Sequence, residues 1–494
     1  MDFQFSALTI YGLVFLALLY IAKHFTSNAS MKNFPPGPRG LPVIGNLHIV
    51  NLTRPNETYM KLSKQYGSVF SVQMGSVKMV VLAGYETVKS ALVDYAEEFG
   101  ERPQIPIFED INYGCGVPFA HGENWKAMRR FTLATLRDFG MGKKTIEDRI
   151  IEECGYMIKL FESLEGKPSD LTIKTSFAIG NIILSIVRGQ RLDYQHPLLL
   201  KIMTIVDENM RLFGSRSTAL YNVLPFFRYL PGAHSKIKQN IADLHAVISA
   251  EYKNHLKGLD RDDQRGFLDA FLVKQQEEKS DPRTYFHETN LLTVVTSLFM
   301  AGTETTAVTI RWAITYMIQN PEIQKKVHEE IDKVIGSAQP RIEHRKTMPY
   351  TNAVIHETQR FANILPMNLP RETTRDVIFQ GYYLPKGTYI VPLLESVLYD
   401  KTQFQKPDSF YPEHFLDSNG GFVKNAAFMP FSAGKRVCIG ETLAKMELFL
   451  FFTSLMQRFT FHPPPNVTDF YVKPSVGLTN PPVTENICCV PRSQ

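Results

Sequence analysis

The sequence predicts a mainly α-helical fold with small β-sheets, which belongs to the α+β class. Helical spacing of apolar residues dominates residues 120–334, and proline interrupts it at three places, Pro225, Pro231 and Pro282. Short runs rich in β-branched residues lie before and after that region, at 69–74, 78–82, 377–379 and 388–391. Short strands before and after a long helical region predict a mostly helical fold with a small β region, including a small sheet near the N-terminus.

The interior of the chain is predicted to form one large domain, which we place at residues 43–494. A length of 494 residues by itself predicts about three domains, but no Ser/Gly-rich linker, composition change or internal repeat divides this chain. Hydrophobic residues at 44% and charged residues at 21% are typical of a folded chain with a sizeable core. The net charge of +5 comes without the basic stripes and stacking aromatic residues of nucleic-acid-binding proteins. We therefore expect no nucleic-acid partner.

Residues 1–24 predict a membrane anchor. An uncharged apolar run covers residues 7–22, and its extension to Phe3 nearly reaches the length of about 20 residues with which a helix crosses a bilayer. A cleaved signal peptide is the competing interpretation, but Asp2 stands where such a peptide carries a basic residue. The asymmetry of charge places the rest of the chain on the cytosolic side. The positive charges follow the run, at Lys23, Lys32 and Arg39.

Residues 25–42 predict a stiff hinge between this anchor and the domain. Four prolines lie close together in it, Pro35, Pro36, Pro38 and Pro42. Neighbouring prolines exclude a helix and favour an extended strut. The segment is therefore expected to fix how the domain sits on the membrane.

The five cysteines are odd in number and scattered, and no CxxC pair occurs among them. Neither a zinc site nor a disulfide framework is indicated, and a reducing compartment fits best. One of the five, Cys438, lies between Gly434 and Gly440 and directly before a helix-forming run at 441–450. Glycines let a backbone pass close to a flat, bulky group, and a helix N-terminus lowers the pKa of a thiol. This pattern predicts a single sulfur ligand in an open loop.

The spacing Phe431-x-x-Gly434-x-Arg436-x-Cys438-x-Gly440 resembles the haem-binding signature of the cytochrome P-450 superfamily. A free cysteine is more often a buried structural residue, but five positions match here at fixed spacing. The resemblance extends from the anchor to the last predicted strand, and it is strongest to vertebrate microsomal family-two enzymes. It implies the cytochrome P-450 fold, with haem b held between a long distal helix and a proximal cysteine loop. Cys438 is then the thiolate ligand of the haem iron.

A long, nearly uncharged helix is predicted over residues 291–312, with Ala301-Gly-Thr-Glu-Thr-Thr306 at its centre. Thr305 interrupts the apolar stripe of this helix, whose other members are Val294, Leu298, Ala301 and Val308. Gly302 weakens the helix and Thr305 can bond a preceding carbonyl group, so a local bend or opening is expected. The resemblance makes this helix the wall over the haem, with Thr305 as the oxygen-binding hydroxyl and Glu304 as its acidic neighbour.

The segment 349–361 predicts a helix with a charged pair on an apolar face. A carboxylate in such a place needs a partner, and Arg360 follows Glu357 by three positions, close enough to pair with it. The Glu-x-x-Arg motif of the family matches here, and it implies a buried structural pair that supports the cysteine loop. His414 replaces the arginine that many relatives carry downstream, which leaves the third member of this network open.

A haem carries two propionates, so a buried haem needs donors. Trp125 and Arg129 lie one helical turn apart and face the same way. Arg102, Arg371 and Arg436 occupy positions that also meet propionates in the family. Guanidinium groups suit this role because they are planar and permanently charged. The resemblance implies all five as cofactor-binding residues.

The implied function is a haem-thiolate monooxygenase that inserts one oxygen atom of O2 into lipophilic substrates such as fatty acids, steroids or xenobiotics. The resemblance implies an endoplasmic reticulum membrane location with the catalytic domain in the cytosol. It also implies a substrate pocket whose residues include Phe108, Phe119, Leu298, Ala301 and Leu365. The alternatives are a haem-thiolate isomerase that rearranges peroxides, and a haem-binding carrier or sensor without activity.

Electrons are expected from NADPH through an acidic flavoprotein, NADPH-cytochrome reductase, with cytochrome b5 as a further candidate partner. Six basic residues lie near the implied thiolate side, and a solvated surface is the ordinary interpretation of such charges. Docking of an acidic reductase would be steered by the same charges. They are Lys126, Arg130, Arg137, Lys143, Lys144 and Lys435.

Overall fold

The computed structural model describes residues 33–467, 470–483 and 486–492. The predicted anchor at 1–24 and the first part of the predicted hinge therefore lie outside the described residues. Within the described ranges, one helix, Glu288–Gln319, is long and apolar enough to cross a membrane by composition. Because most of that helix is buried against the rest of the protein, it is a core helix here.

The predicted dominance of helices is confirmed. The α-helices are α1 (Pro55–Tyr66), α2 (Tyr85–Lys89), α3 (Pro106–Asn112), α4 (Gly122–Asp138), α5 (Lys144–Glu162), α6 (Thr172–Arg188), α7 (Pro197–Phe213), α8 (Arg216–Val223), α9 (Ala233–Lys257), α10 (Phe267–Glu277), α11 (Glu288–Gln319), α12 (Pro321–Val334), α13 (Pro349–Ala362), α14 (Leu394–Leu398) and α15 (Glu441–Arg458). Shorter 3-10 turns cover Pro225–Tyr229, Ile342–Thr347, Pro412–Phe415 and Gly434–Arg436, and a π-turn covers Ser90–Asp94. Prolines begin α1, α3, α7, α12 and α13, where a missing N–H does not break the helix.

Within the described ranges the strands form three small sheets, which confirms the predicted small β-sheets. They are β1 (Val69–Met74), β2 (Val77–Leu82), β3 (Arg371–Glu372), β4 (Val377–Phe379), β5 (Tyr382–Leu384), β6 (Tyr389–Pro392), β7 (Phe459–His462) and β8 (Cys488–Pro491). The first sheet has the order β1-β2-β6-β3, with β2 and β6 parallel and the other pairs antiparallel. It joins the N-terminal strands to a segment three hundred residues later, with Met79 opposite Tyr389. The pairs β4-β5 and β7-β8 are antiparallel.

Helix α11 is the centre of the main hydrophobic core and packs against α6, α7 and α15. Gly302 allows the close approach of α6, because a Cβ atom there would lie 2.6 Å from Ile183 Cδ1. Helix α11 is one continuous helix from Glu288 to Gln319, and Gly302 serves its packing against α6. The bend or opening expected at Gly302 stays a prediction.

Candidate functional site

The cysteine loop connects the 3-10 turn Gly434–Arg436 to the start of α15. The Cys438 amide donates to the Phe431 carbonyl at 3.1 Å, and the Val437 amide donates to the Gly434 carbonyl at 3.0 Å. Arg129 of α4 reaches the same loop, where its Nη2 donates to the Val437 carbonyl at 2.7 Å. These bonds hold the cysteine directly before the first turn of α15.

Gly434 is required by the backbone of the loop itself. Its φ of +72° lies in the left-handed region, and an added Cβ atom would collide with the Leu92 carbonyl oxygen. This glycine therefore allows a close approach to the backbone of the π-turn, and the expected approach to a bound group stays a prediction. Gly440 lies beside the sulfur, since a Cβ atom there would be 3.9 Å from Cys438 Sγ.

The Cys438 side chain is accessible, although protein surrounds its thiol on most sides. Burial raises the pKa of its thiol, and hydrogen bonds from the Gly440 and Glu441 backbone with the nearby charge of Arg129 act in the opposite direction. The expected lowering by the helix N-terminus is therefore present, but burial outweighs it for the free thiol.

The predicted pair of α13 is completely buried. Every residue from Thr351 to Arg360 is buried, and neither charged side chain of the pair has accessible surface. Arg360 donates from Nε to Glu357 Oε2 at 2.8 Å and from Nη2 to Glu357 Oε1 at 2.7 Å, which is bidentate geometry. Its remaining donors reach the carbonyl groups of Leu398, Pro407 and Ser409 at 2.9–3.0 Å.

His414 is the third member of this network. Its Nδ1 lies 3.1 Å from Glu357 Oε2, and the Lys406 amide donates to its Nε2 at 3.0 Å. Because Nε2 accepts this bond, Nδ1 is the ring nitrogen that can donate to Glu357. The Tyr411 amide donates to Glu357 Oε1 at 2.8 Å as well. His414 and the Tyr411 amide thus complete the hydrogen bonds of the buried carboxylate.

Helix α11 leaves one short stripe uncovered. From Asn290 to Ile318 almost every residue is buried, but Ala301 is exposed, and Leu298 and Thr305 on the same face are half-buried. The Thr305 hydroxyl donates to the Ala301 carbonyl at 2.7 Å. A stripe that stays accessible on a core helix borders an internal space.

Glu304 points to a different part of the protein from Thr305. It is buried, and the Thr479 hydroxyl donates to its Oε1 at 3.2 Å. Burial raises the pKa of this carboxyl, with Arg311 opposing the shift. The structure thus brings Glu304 and Thr305 together along the helix, but the hydrogen bonds described for them go to separate partners.

Three predicted arginines gather under the site as buried cations, Arg102, Arg371 and Arg436. Burial and the charges of its two neighbours lower the pKa of Arg102 well below its usual value. Among the described residues, the carboxylate that contacts this cluster is that of Glu101, to which Arg436 Nη2 donates at 2.8 Å. Burial and a neighbouring guanidinium charge lower the pKa of Arg371 to about 9. The cluster therefore carries an excess of positive charge that favours an anion.

Two buried donors near this cluster have no hydrogen-bond partner within the described ranges, Trp125 Nε1 and Arg371 Nε. Arg436 stacks on the Trp125 ring with its guanidinium carbon 3.6 Å from the ring centroid. Arg436 also uses its Nε and Nη1 on the carbonyl groups of Gly100 and Ala120. Unsatisfied buried N–H groups are rare, so these two point to acceptors outside the protein chain.

A family model described as Cytochrome P450 matches residues 35–489. The chain belongs to the cytochrome P450 family. It is 49% identical to Cytochrome P450 2K1 of Oncorhynchus mykiss over 492 residues, which cover 99% of this chain and 98% of that relative. It is also 45% identical to Cytochrome P450 2F2 of Mus musculus over 457 residues, which cover 92% and 93% of the two chains.

As a P450, the protein is a monooxygenase whose cofactor is haem b with an axial cysteine thiolate. The predicted fold class is confirmed as well. The residues fit the P450 cofactor, because two free donors and an excess of buried positive charge suit the two propionates of a haem. The lone accessible thiol suits its iron, and no group of three or more His, Cys, Asp or Glu able to hold a metal occurs in the described ranges.

The predicted pocket residues of this P450 are only partly brought together. The Phe108 ring stacks on Phe119 with centroids 3.7 Å apart, and Phe213 joins them at 5.1 Å from Phe108. Leu298 and Ala301 belong to the accessible stripe of α11. Leu365 is half-buried in the loop that follows α13. Phe213 was not predicted, because nothing in its local sequence separates it from an ordinary core residue of α7.

Two further polar residues of this P450 were also missed. Thr479 lies in the C-terminal loop and is brought to Glu304 only by folding. Glu447 is buried on α15, and the Thr306 hydroxyl donates to its Oε2 at 3.1 Å. A lone carboxyl in the apolar run 446–456 is the signal that could have identified it.

Replacement of the thiol should remove the P450 spectrum. We expect Cys438→Ser to abolish the strongly red-shifted Soret band of the reduced carbon-monoxide complex, because a serine hydroxyl cannot supply a thiolate. The measurement is the reduced difference spectrum of purified protein. Cys488→Ser, which changes a buried cysteine of β8, should keep the band. A red-shifted band in Cys438→Ser would show that another residue binds the iron.

Removal of one partner of the buried pair should destabilise the P450 fold. We expect Arg360→Leu to lower the free energy of unfolding by about 3–5 kcal/mol, because it leaves Glu357 buried and unpaired. In Lys274→Ala, which breaks an exposed pair with Glu277, the loss should stay below about 1 kcal/mol. Urea unfolding followed by far-ultraviolet circular dichroism measures both. Equal losses would contradict a structural role for the α13 pair.

Proposed function

We propose that this P450 is a microsomal monooxygenase that oxidises lipophilic substrates, with electrons from NADPH through a flavoprotein reductase. The observation that carries the proposal is the accessible stripe of α11. A core helix that is otherwise buried leaves Ala301 and Thr305 open, in a protein that also leaves the Cys438 thiol accessible. A flat cofactor held at the thiol would have a threonine hydroxyl on the wall of the space above it.

Thr305 is the residue that we assign to proton delivery. When bound, a thiolate-ligated haem supplies the reduction of dioxygen and the cleavage of its O–O bond. Thr305 holds a proton at Oγ1, and its bond to the Ala301 carbonyl keeps that hydroxyl in place. Glu304 acts behind it as a buried carboxyl whose pKa is raised by burial, a shift that favours the protonated form of a proton donor. Ala301 leaves space for the substrate because its side chain is small.

For the cofactor itself we assign Cys438 to the iron, and Trp125 and Arg371 to the propionates through their free donors. Arg102 and Arg436 supply buried positive charge, although both donate to the protein itself. Arg102 donates to the carbonyl groups of Pro118, Leu369 and Pro370, and Arg436 to Gly100, Ala120 and Glu101. Arg129 donates to the Val437 carbonyl, so its first task is to hold the cysteine loop. The five predicted cofactor-binding residues thus have three roles: two donate to the propionates, two supply positive charge, and Arg129 holds the cysteine loop.

The apolar side chains of the predicted substrate pocket indicate the class of substrate. The stacked rings of Phe108 and Phe119, with Leu298 and Ala301, are apolar and offer burial without a charged partner. Such walls select lipophilic molecules, which are held near the oxidant by burial of apolar surface. Fatty acids, steroids and xenobiotics all meet this description.

The basic surface of α4 and the segment after it supports docking of an acidic reductase. Its members are exposed, and those on α4 share one face. Two of them make exposed ion pairs, Lys126 with Glu123 and Lys435 with Glu97. Positive charge on this side would steer an acidic flavoprotein toward the proximal face. A membrane location at the endoplasmic reticulum rests on the predicted anchor at 1–24.

Reconstitution tests the proposal. Purified holoprotein with NADPH-cytochrome reductase in phospholipid vesicles should consume NADPH faster when lipophilic substrates selected by a binding difference-spectrum screen are added. The products should contain one oxygen atom from ¹⁸O2. Turnover of a fatty-acid hydroperoxide without NADPH or reductase would instead favour the isomerase, and the absence of any substrate-dependent consumption would favour a carrier.

Loss of the Thr305 hydroxyl should separate electron use from product formation. We expect Thr305→Ala to keep the Soret spectrum and to lower product per NADPH by about 10-fold or more, with the missing electrons found as hydrogen peroxide. Thr315→Ala is the matched control, since Thr315 makes the same bond to the carbonyl four residues earlier but is buried away from the stripe. Unchanged peroxide in Thr305→Ala would remove Thr305 from proton delivery.

A further inference from the structure

Glu447 is a buried carboxyl with a chemical role that none of the preceding assignments uses. It lies on α15, nine residues after Cys438, and has 1% of its surface accessible. Its Oε2 accepts a hydrogen bond from the Thr306 hydroxyl of α11 at 3.1 Å. Its Oε1 is buried without a hydrogen-bond partner among the described residues. The side chain therefore connects the helix that follows the cysteine with the helix that forms the distal wall.

The surroundings of Glu447 keep it uncharged. Burial raises its pKa to about 8, and the Thr306 hydrogen bond opposes this only in part. The thiol of Cys154 on α5 is the titratable group whose pKa also reflects the charge of Glu447, and burial raises that pKa too. Among the ion pairs of the described residues, none includes Glu447. A carboxylic acid, unlike a carboxylate, can stay in such a place without a cation.

Thr306 directly follows Thr305, so a bond to one controls the direction of the other. Successive side chains of an α-helix point about 100° apart. Thr305 borders the accessible stripe, while Thr306 is buried and points toward α15. Ala301 and Gly302 precede them by one turn, and neither supplies a side chain that could hold the helix from the cofactor side. The rotation of α11 at this point is therefore restrained by α6 at Gly302, by Thr479 at Glu304 and by Glu447 at Thr306.

We infer that Glu447 is a positioning residue that fixes the rotation of α11 at Thr305 through its hydrogen bond to Thr306. This inference rests on the proposed role of Thr305 in proton delivery. The acid touches neither substrate nor cofactor, and its effect on the reaction passes through the direction of the Thr305 hydroxyl. The amide of glutamine has the same shape and is uncharged, so it can accept the same bond from Thr306.

Hydrogen–deuterium exchange of the holoprotein tests the restraint without any turnover. We expect Glu447→Ala to exchange the backbone amides of 302–306 about 10-fold faster than the unchanged protein, because one buried hydrogen bond is lost. Glu447→Gln should stay within about twofold of it. Thr306→Val should match Glu447→Ala, and the double variant should add nothing further, since both remove the same bond. Thr453→Val, a buried change elsewhere on α15, is the control.

Two outcomes would overturn the inference: unchanged exchange in Glu447→Ala and Thr306→Val, or equally fast exchange in Glu447→Gln and Glu447→Ala. The second readout is hydrogen peroxide per NADPH in reconstituted enzyme with dodecanoic acid as the probe, at equal haem content. Peroxide should rise in Glu447→Ala and return to the original level in Glu447→Gln. A peroxide share that is the same in all variants would also reject the positioning role. If no protein in the series consumes NADPH, either with dodecanoic acid or with the substrates from the binding screen, the proposed function fails, while the exchange data still decide whether Glu447 restrains α11.

Discussion

The buried pair between Glu357 and Arg360 is the interaction on which the cysteine side of the structure depends. Two desolvated charges are stable only where hydrogen bonds satisfy all of their donors and acceptors. Here those partners come from one long segment, through the carbonyl groups of Leu398, Pro407 and Ser409, and from His414. These hydrogen bonds fix the position of the segment against α13. The cysteine loop begins shortly after this segment, so its position is fixed as well.

The same helix also contacts the start of the loop directly. The His356 ring of α13 lies 4.8 Å from the Phe428 ring, just before the loop, and burial lowers the pKa of this histidine to about 3, so that it stays neutral. A neutral ring can pack among aromatic side chains at no electrostatic cost. The buried pair and the aromatic contacts together fix the cysteine loop relative to α13, although no residue of α13 is itself a predicted ligand.

The buried ionisable groups near the site fall into two kinds, arginines that stay charged and carboxyl groups whose charged form is disfavoured. On the cofactor side, arginines remain cations in excess of the nearby carboxylate, a state that an anionic group relieves. Glu304 on α11 and Glu447 on α15 have raised pKa values because burial disfavours their charged forms. The buried arginines therefore favour an anion, while the two buried carboxyls are shifted toward their protonated forms.

The sequence by itself determined the helical class, the small sheets, the loop around Cys438, and the two motifs around Thr305 and Glu357. These are local features, because periodicity, proline positions and fixed spacing act over a few residues. Only the tertiary structure decided that Gly434 packs on Leu92, that Gly302 admits α6, that Glu304 turns to Thr479, and that His414 completes the buried pair. Each of these depends on chain segments far apart in sequence, and a contact of that kind leaves no periodic signal in either segment. The pKa of the Cys438 thiol was decided in the same way, since burial by the whole fold outweighs the local effect of the helix N-terminus.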